Sequence, residues 1–168
     1  MLKLPSAFTA LLLAAATPAG AAPLGPDAPS CRPGTADNAL LVSVSGLKSR
    51  TGIVRVQLYG GNAADFLAKG KKLRRIEVPV SAGAMDVCVA VPQPGRYAVA
   101  VRHDADGNRK SGWSDGGGFS RNPSISLTSL KPKYSQVAIN VGPGVNRVPV
   151  VMQYRRGISI GPIRKQGG

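Results

Sequence analysis

Five polar residues lie directly after an alternating run of valines, and their types and spacing could support chemistry. Asp104, Asp106 and Asn108 place side-chain oxygens at every second position, and Asp115 stands twelfth when counted from Asp104. These residues match the first, third, fifth and twelfth ligand positions of a twelve-residue calcium loop. His103, the single histidine of the chain, precedes them and could act as a general base beside the aspartates.

Two features weaken the calcium interpretation. A calcium loop has a glycine where this chain has Arg109, and Lys110 adds a second positive charge. Asp115 is also shorter than the glutamate that usually supplies the last, bidentate ligand. The alternative is a plain connection in which Asp and Asn side chains cap their own backbone in Asx turns. We expect no cofactor, with one candidate metal, calcium, bound by Asp104, Asp106, Asn108 and Asp115.

The alternative for His103 is a packed residue at the end of a strand, where it orders the loop that follows. A zinc site needs more histidines or cysteines than the chain offers once its two cysteines pair. No nucleophile elbow, phosphate-binding loop or dinucleotide fingerprint is present. We therefore expect a non-enzymatic protein, and a hydrolase that uses His103 as its base is the lesser alternative.

Trp113 is the only tryptophan and lies in the glycine-rich stretch that ends at Phe119. It could stack against a sugar or a lipid head group, with Phe119 nearby. The alternative is a residue that packs down as a lid over one end of the fold. The sequence leaves both open.

The segments on either side of these residues are predicted to be strands, because apolar and polar residues alternate along most of the chain. About seven short strands, one short helix at residues 62–70 and frequent turn signals indicate an all-β fold, an antiparallel β-sandwich. We expect the strands at 40–44 and 54–58 to form a hairpin. The predicted inward residues are Leu40, Val42, Val44, Val54, Val56, Leu58, Ile76, Val78, Val80, Met85, Val87, Val89, Val91, Tyr97, Val99, Val101, Val137, Ile139, Val141, Val148, Val150 and Met152.

The two ends of the chain are predicted to lie outside this sandwich, which spans residues 39–154. Residues 1–21 have the basic start, short apolar core and small-residue cleavage site of a signal peptide. Residues 22–38, rich in Pro, Gly and Ala, predict an extended lead-in held by Cys31. Residues 155–168 predict a basic, disordered tail. We expect a periplasmic or secreted protein with no transmembrane segment in the mature chain.

Cys31 and Cys88 are the only cysteines, and thiols exported to an oxidising compartment usually pair. Cys88 faces away from the apolar residues of its strand. We therefore predict a disulfide that holds the lead-in against the outer face or an edge of the sandwich. Two free thiols are the alternative.

The formal net charge is +14, which favours polyanionic partners. In an exported protein these would be anionic lipid head groups, lipopolysaccharide or acidic polysaccharide rather than nucleic acid. The alternative for the densest basic run is a solvated strand entry that discourages aggregation. That candidate polyanion-binding run comprises Lys69, Lys71, Lys72, Arg74 and Arg75.

Three stretches, "LLVSVSGLKSRTGIVRVQLYG", "PGRYAVAVRHDADGNRK" and "GFSRNP", together resemble the bacterial family of domain of unknown function 2141. The resemblance spans residues 31–154 and implies an exported β-sandwich of immunoglobulin-like or transthyretin-like type, with no established activity; the cysteine pair fits a subset of the family. Its loop pattern maps onto His103, Asp104, Asp106, Gly107 and Asn108, with Trp113 and Phe119 farther on. This chain departs from it at Arg109 and Gly112, where the family has glycine and an acidic residue.

Overall fold

The computed structural model describes residues 22–163, which contain ten strands and three single helical turns. The predicted signal peptide, residues 1–21, and the last five residues of the predicted tail, 164–168, lie outside this range. The helical turns are α1 (Tyr134–Val137) and two 3-10 turns (Ala28–Cys31 and Ala63–Asp65). The strands are β1 (Ala39–Ser45), β2 (Ile53–Tyr59), β3 (Arg74–Pro79), β4 (Met85–Ala90), β5 (Gly95–Asp104), β6 (Gly116–Phe119), β7 (Ile139–Val141), β8 (Val145–Val151), β9 (Gln153–Arg156) and β10 (Ser159–Pro162).

The strands form two sheets, which confirms the predicted all-β sandwich. The smaller sheet has the order β4-β1-β8, and the larger has the order β10-β9-β6-β5-β2-β3, with β7 paired to the start of β5. One pair departs from the antiparallel prediction, because β1 and β8 run parallel. The two sheets enclose a core of alternate valines, leucines and other apolar residues from most of the strands.

The predicted hairpin between β1 and β2 is wrong. β1 pairs with β4 and β8, whereas β2 pairs with β3 and β5 in the other sheet. The connection between β1 and β2 therefore crosses from one sheet to the other. At its end Gly52 has a φ of +85°, and a Cβ there would lie 2.0 Å from the carbonyl oxygen of Asp104. Only glycine allows β2 to start this close to the end of β5.

The lead-in is held at three points. Leu24 exchanges backbone hydrogen bonds with β4, from its amide to Asp86 (2.8 Å) and from the Cys88 amide to its carbonyl (3.0 Å). The Asp27 carboxylate accepts hydrogen bonds from the Arg74 guanidinium and from the Ala90 amide. Cys31 forms the predicted disulfide with Cys88. A small apolar cluster packs around it on the outer face of the smaller sheet, comprising Cys31, Ala39, Leu41 and Cys88.

Two predictions about local structure need correction. Residues 62–70 form only a 3-10 turn, Ala63–Asp65, which the Asn62 side chain caps by accepting from the Ala64 amide. The tail does not begin at residue 155, because β9 and β10 extend the larger sheet to Pro162. Gly157, with a φ of +60°, permits the tight turn between these strands, which pair with each other. Ile160 of β10 packs against an apolar cluster that includes Phe119.

The helices of residues 22–163 are single turns, and none has the length and apolar character needed to cross a bilayer.

Candidate functional site

The loop at residues 104–115 joins β5 to β6, which pair antiparallel with His103 opposite Gly116. Because the loop starts and ends on neighbouring strands, its first and twelfth positions lie side by side. Carboxylate oxygens of Asp104, Asp106 and Asp115 fall within 4.8 Å of one another. Three of the four predicted calcium ligands therefore converge.

Backbone amides of the loop already occupy several of these oxygens. Asp106 Oδ1 accepts from the Asn108 amide (3.1 Å), and Asn108 Oδ1 accepts from the Lys110 amide (2.7 Å). Both contacts are Asx turns, as the plain-turn alternative requires. Asp115 accepts from the amides of Ala105 (3.3 Å) and Gly112 (3.0 Å). The fourth predicted ligand, Asn108, directs its amide group to Asp106 Oδ2 (2.6 Å).

Arg102, which the sequence reasoning missed, places a guanidinium among the carboxylates. Its Nη2 lies 3.0 Å from Asp115 Oδ2 and 3.5 Å from Asp104 Oδ2, and it donates to the carbonyl of Lys110. These partners are the first, seventh and twelfth positions of the loop, and a calcium loop uses all three as ligands, the seventh through its carbonyl. The guanidinium thus meets the ligand set that calcium would meet.

The backbone at Arg109 also follows the calcium-loop geometry. Its φ is +65°, in the left-handed region where the loop pattern has glycine. The Arg109 amide donates to Asp104 Oδ2 (2.7 Å), which supports this conformation. Asp104 is almost fully buried, and its second oxygen, Oδ1, has no hydrogen-bond partner.

His103 is completely buried, and both of its ring nitrogens are hydrogen bonded. Nε2 lies 2.8 Å from the carbonyl of Thr51, which can only accept, so Nε2 carries the proton. Nδ1 then accepts from the hydroxyl of Tyr154 (2.6 Å), which itself accepts from the Lys48 amide (3.2 Å). Neither nitrogen is free to take a proton from a substrate. This geometry is that of the packed strand-end alternative.

Burial raises the pKa of Tyr154 from its ordinary value of 10.0 to about 12, and the nearby Asp115 carboxylate adds to the rise. The unfolded chain loses this proton near pH 10, but the folded chain retains it. The contribution of Tyr154 to the free energy of unfolding is therefore fully present below pH 10 and is lost as the pH rises to about 12.

We expect a Tyr154→Phe variant to be about 1–2 kcal/mol less stable at neutral pH, because His103 and Lys48 lose a hydrogen-bond partner. Above pH 10 its stability should fall less steeply than that of the wild type. Urea unfolding across an alkaline pH series measures both effects. Tyr97→Phe, which removes a hydroxyl that donates to the Gln93 carbonyl, is the control and should keep the steep alkaline fall. Equal slopes in wild type and Tyr154→Phe would contradict the assignment.

The predicted basic run is largely occupied by ion pairs. Arg74 binds Asp27, Arg75 binds Glu77 (2.5 Å) and Lys71 lies 3.7 Å from Asp65. The hydrogen bonds from Arg74 and Arg75 hold the pKa of Asp27 and Glu77, respectively, below their usual values. Lys69 and Lys72 form no ion pair with any described residue, so only these two remain as free charges in the run.

Trp113 and Phe119 lie in different surroundings. Phe119 is buried in a second apolar cluster on the outer face of the larger sheet, where it contacts Phe66. Trp113 is 76% exposed and does not act as a lid. The Arg155 guanidinium lies over its ring, 3.2 Å from the centroid.

A family model matches this chain over residues 42–148, from within β1 to within β8, and so includes strands of both sheets and the whole 104–115 loop. The family is described as an uncharacterized protein conserved in bacteria, DUF2141. Comparisons with curated proteins and with solved structures found no match. The match covers more than half of the chain and agrees with the resemblance in the strand and loop motifs. The chain therefore belongs to the bacterial family of domain of unknown function 2141.

Proposed function

We propose that this chain is an exported, non-enzymatic β-sandwich module of the cell envelope that binds polyanionic envelope components. Lipid head groups, lipopolysaccharide and acidic polysaccharide all supply suitable anions. The Cys31–Cys88 disulfide supports export, because such bonds persist in oxidising compartments. The buried, doubly hydrogen-bonded His103 supports a role other than hydrolysis.

The distribution of charge carries this proposal. Among residues 22–163, every acidic side chain except Asp37 and Asp106 forms an ion pair with a lysine or arginine. Many lysines and arginines of the same region have no carboxylate partner. The excess positive charge is thus exposed and unneutralised, and its field attracts anions.

One surface depression gathers this free charge. It has a volume of about 730 Å³ and is lined by Arg96, Arg121, Ala138, Ile139 and Asn140, with no carboxylate. Arg96 lies over the ring of Tyr134, and Arg121 donates to the carbonyl of Ser135 (2.8 Å). Both guanidiniums are therefore positioned by neighbours that leave their charge uncompensated. We infer that this depression binds polyanions better than the predicted run at residues 69–75.

Salt-dependent binding tests the proposal. We expect retention on a sulfated polysaccharide resin and on phosphatidylglycerol vesicles, little retention on phosphatidylcholine vesicles, and steady loss of binding as salt rises. An Arg96→Gln, Arg121→Gln double variant should bind about 30-fold more weakly, at about 1 kcal/mol for each arginine.

The matched control is Lys69→Gln with Lys72→Gln, which removes the same charge from the basic run. It should bind more tightly than the arginine variant. Equal losses of affinity in the two variants would show that the depression is not the preferred binding site. Binding that does not change with salt would contradict the proposal as a whole.

Calcium binding by the 104–115 loop, as in a calcium-dependent structural or adhesive domain, is the second candidate function. The buried, unpartnered Oδ1 of Asp104 favours it. Calcium would have to displace Arg102, whose guanidinium already contacts Asp104, Lys110 and Asp115. We infer that Arg102 takes the place of calcium in this chain.

A further inference from the structure

Trp113 forms one wall of a surface pocket whose lining is mostly apolar. The pocket has a volume of about 300 Å³, and Leu127, Leu130 and Arg155 are among its other lining residues. Leu130 is 54% exposed and Trp113 is 76% exposed. Three large apolar side chains therefore meet solvent at one place, which is uncommon unless the surface binds something.

A fourth apolar residue lies beside this pocket. Arg155, which stacks on Trp113, also donates from Nε to the carbonyl of Gly157 (2.9 Å). This contact places the β9–β10 turn next to the pocket. Ile158 follows in that turn and is 93% exposed. We call the set of Trp113, Leu127, Leu130 and Ile158 the apolar rim.

Positive charges accompany the apolar rim. Arg155 lines the pocket and Lys131 directly follows Leu130. Neither forms an ion pair with any residue in the described range. Nη1 of Arg155 is buried without a hydrogen-bond partner, so one of its donors is unsatisfied. Exposed apolar residues flanked by unpaired cations are typical of surfaces that bind anionic membranes.

We propose that this surface docks on an anionic lipid bilayer. The apolar rim enters the boundary between head groups and acyl chains, and Arg155 and Lys131 contact lipid phosphates. Tryptophan suits this position, because its ring is apolar and its indole N–H is polar. The inference rests on the proposed function and narrows its partner to a lipid surface.

The polar groups of the pocket favour a lipid over a sugar. The carboxylate of Asp115 is already bound by Arg102 and by the Gly112 amide. Among the side chains that line the pocket, only Ser111, Trp113 and Arg155 could still bind the hydroxyl groups of a sugar. An anionic lipid surface needs only apolar side chains and positive charges on the protein in order to bind it.

The single tryptophan makes the test direct, because every change in tryptophan fluorescence reports on Trp113. With phosphatidylglycerol vesicles we expect its emission to move to shorter wavelength and to be quenched by lipids brominated near the head of the acyl chain. A Leu130→Ser, Ile158→Ser double variant keeps the probe and should bind at least tenfold more weakly. The control is a Leu73→Ser variant, because Leu73 is also 54% exposed but does not line this pocket.

The outcomes separate this inference from the proposed function. Vesicle binding without blue shift or quenching would overturn the docking surface and leave polyanion binding intact. Quenching that is equal with phosphatidylcholine vesicles and insensitive to salt would contradict both polyanion binding and docking on an anionic bilayer. Absence of vesicle binding would overturn the docking surface, and retention on the polysaccharide resin would then decide the proposed function. Equal losses of vesicle affinity in the Leu130→Ser, Ile158→Ser variant and in Leu73→Ser would also overturn the docking surface.

Discussion

Unfolding a Cys31→Ala, Cys88→Ala double variant is expected to require about 4 kcal/mol less free energy than unfolding the oxidised wild type. The disulfide joins residues 57 positions apart, and closing a loop of that length restricts the unfolded chain by about this amount. Both sulfurs are buried beside Ala39 and Leu41, so alanine also loses some apolar contact. Urea unfolding with and without a reductant measures the difference.

The reduced wild type provides the control, since it lacks the bridge but keeps both side chains. It should lose nearly as much stability as the double variant, and a reductant should not affect the variant. A loss below about 1 kcal/mol would contradict the prediction. It would mean that the contacts of Leu24 and Asp27 hold the lead-in without the bridge.

Alternation of apolar residues predicted the core well but did not predict strand partners. Of the residues predicted to point inward, all but Val137 and Ile139 lie in the main core cluster; Ile139 packs against it, and Val137 belongs to the outer cluster around Phe119. The alternation of apolar and polar residues shows which face of a strand is buried, but it does not show which strand pairs with it. For that reason the parallel β1–β8 pair and the separation of β1 from β2 could not be predicted.

The β9–β10 hairpin escaped prediction for a different reason. Its residues are basic and glycine-containing, so composition indicated disorder. Backbone hydrogen bonds to β6, which local composition does not encode, extend the sheet there. Tyr154 contributes apolar burial, and the absence of a side chain at Gly116 of β6 makes room for its ring: a Cβ on Gly116 would lie 2.3 Å from Cε1 of Tyr154.

The side-chain oxygens of the 104–115 loop predicted that its carboxylates would converge. The sequence did not predict that the Arg102 guanidinium would lie among them. Arg102 and His103 point to opposite faces of β5. Arg102 shares its face with Ala98 and Ala100, and the alternation of apolar residues assigns this face to the outer side of the sandwich. The 104–115 loop folds over that side and leaves the Arg102 side chain only 19% exposed. The local sequence pattern could not predict that the loop buries Arg102, because this burial depends on where the loop returns to the sheet.

An Arg102→Gln variant is expected to be about 2–3 kcal/mol less stable than the wild type. The change leaves Asp104 and Asp115 together without their counter-charge, and buried carboxylates that lose a partner are strongly destabilising. The loss falls below that of a fully buried pair because the guanidinium retains some contact with water. Calcium should restore about 1–3 kcal/mol to this variant at about 10 mM, since a loop of this type binds calcium in the range of about 0.1–1 mM.

The wild type should show no calcium effect, because the metal would have to displace a guanidinium that already contacts the first, seventh and twelfth positions of the loop. Thermal melting with calcium, and with magnesium at equal concentration, measures both responses. Arg55→Gln is the matched control: Arg55 lies directly opposite Arg102 across the β2–β5 pair and binds Glu77. The stability that the Arg55→Gln variant loses should not be restored by calcium, because the partner of Arg55 is the single carboxylate of Glu77, which lies outside the loop. A wild-type melting point that rises with calcium would show that the metal competes with Arg102. An Arg102→Gln variant indifferent to calcium would show that the three aspartates converge only around the arginine.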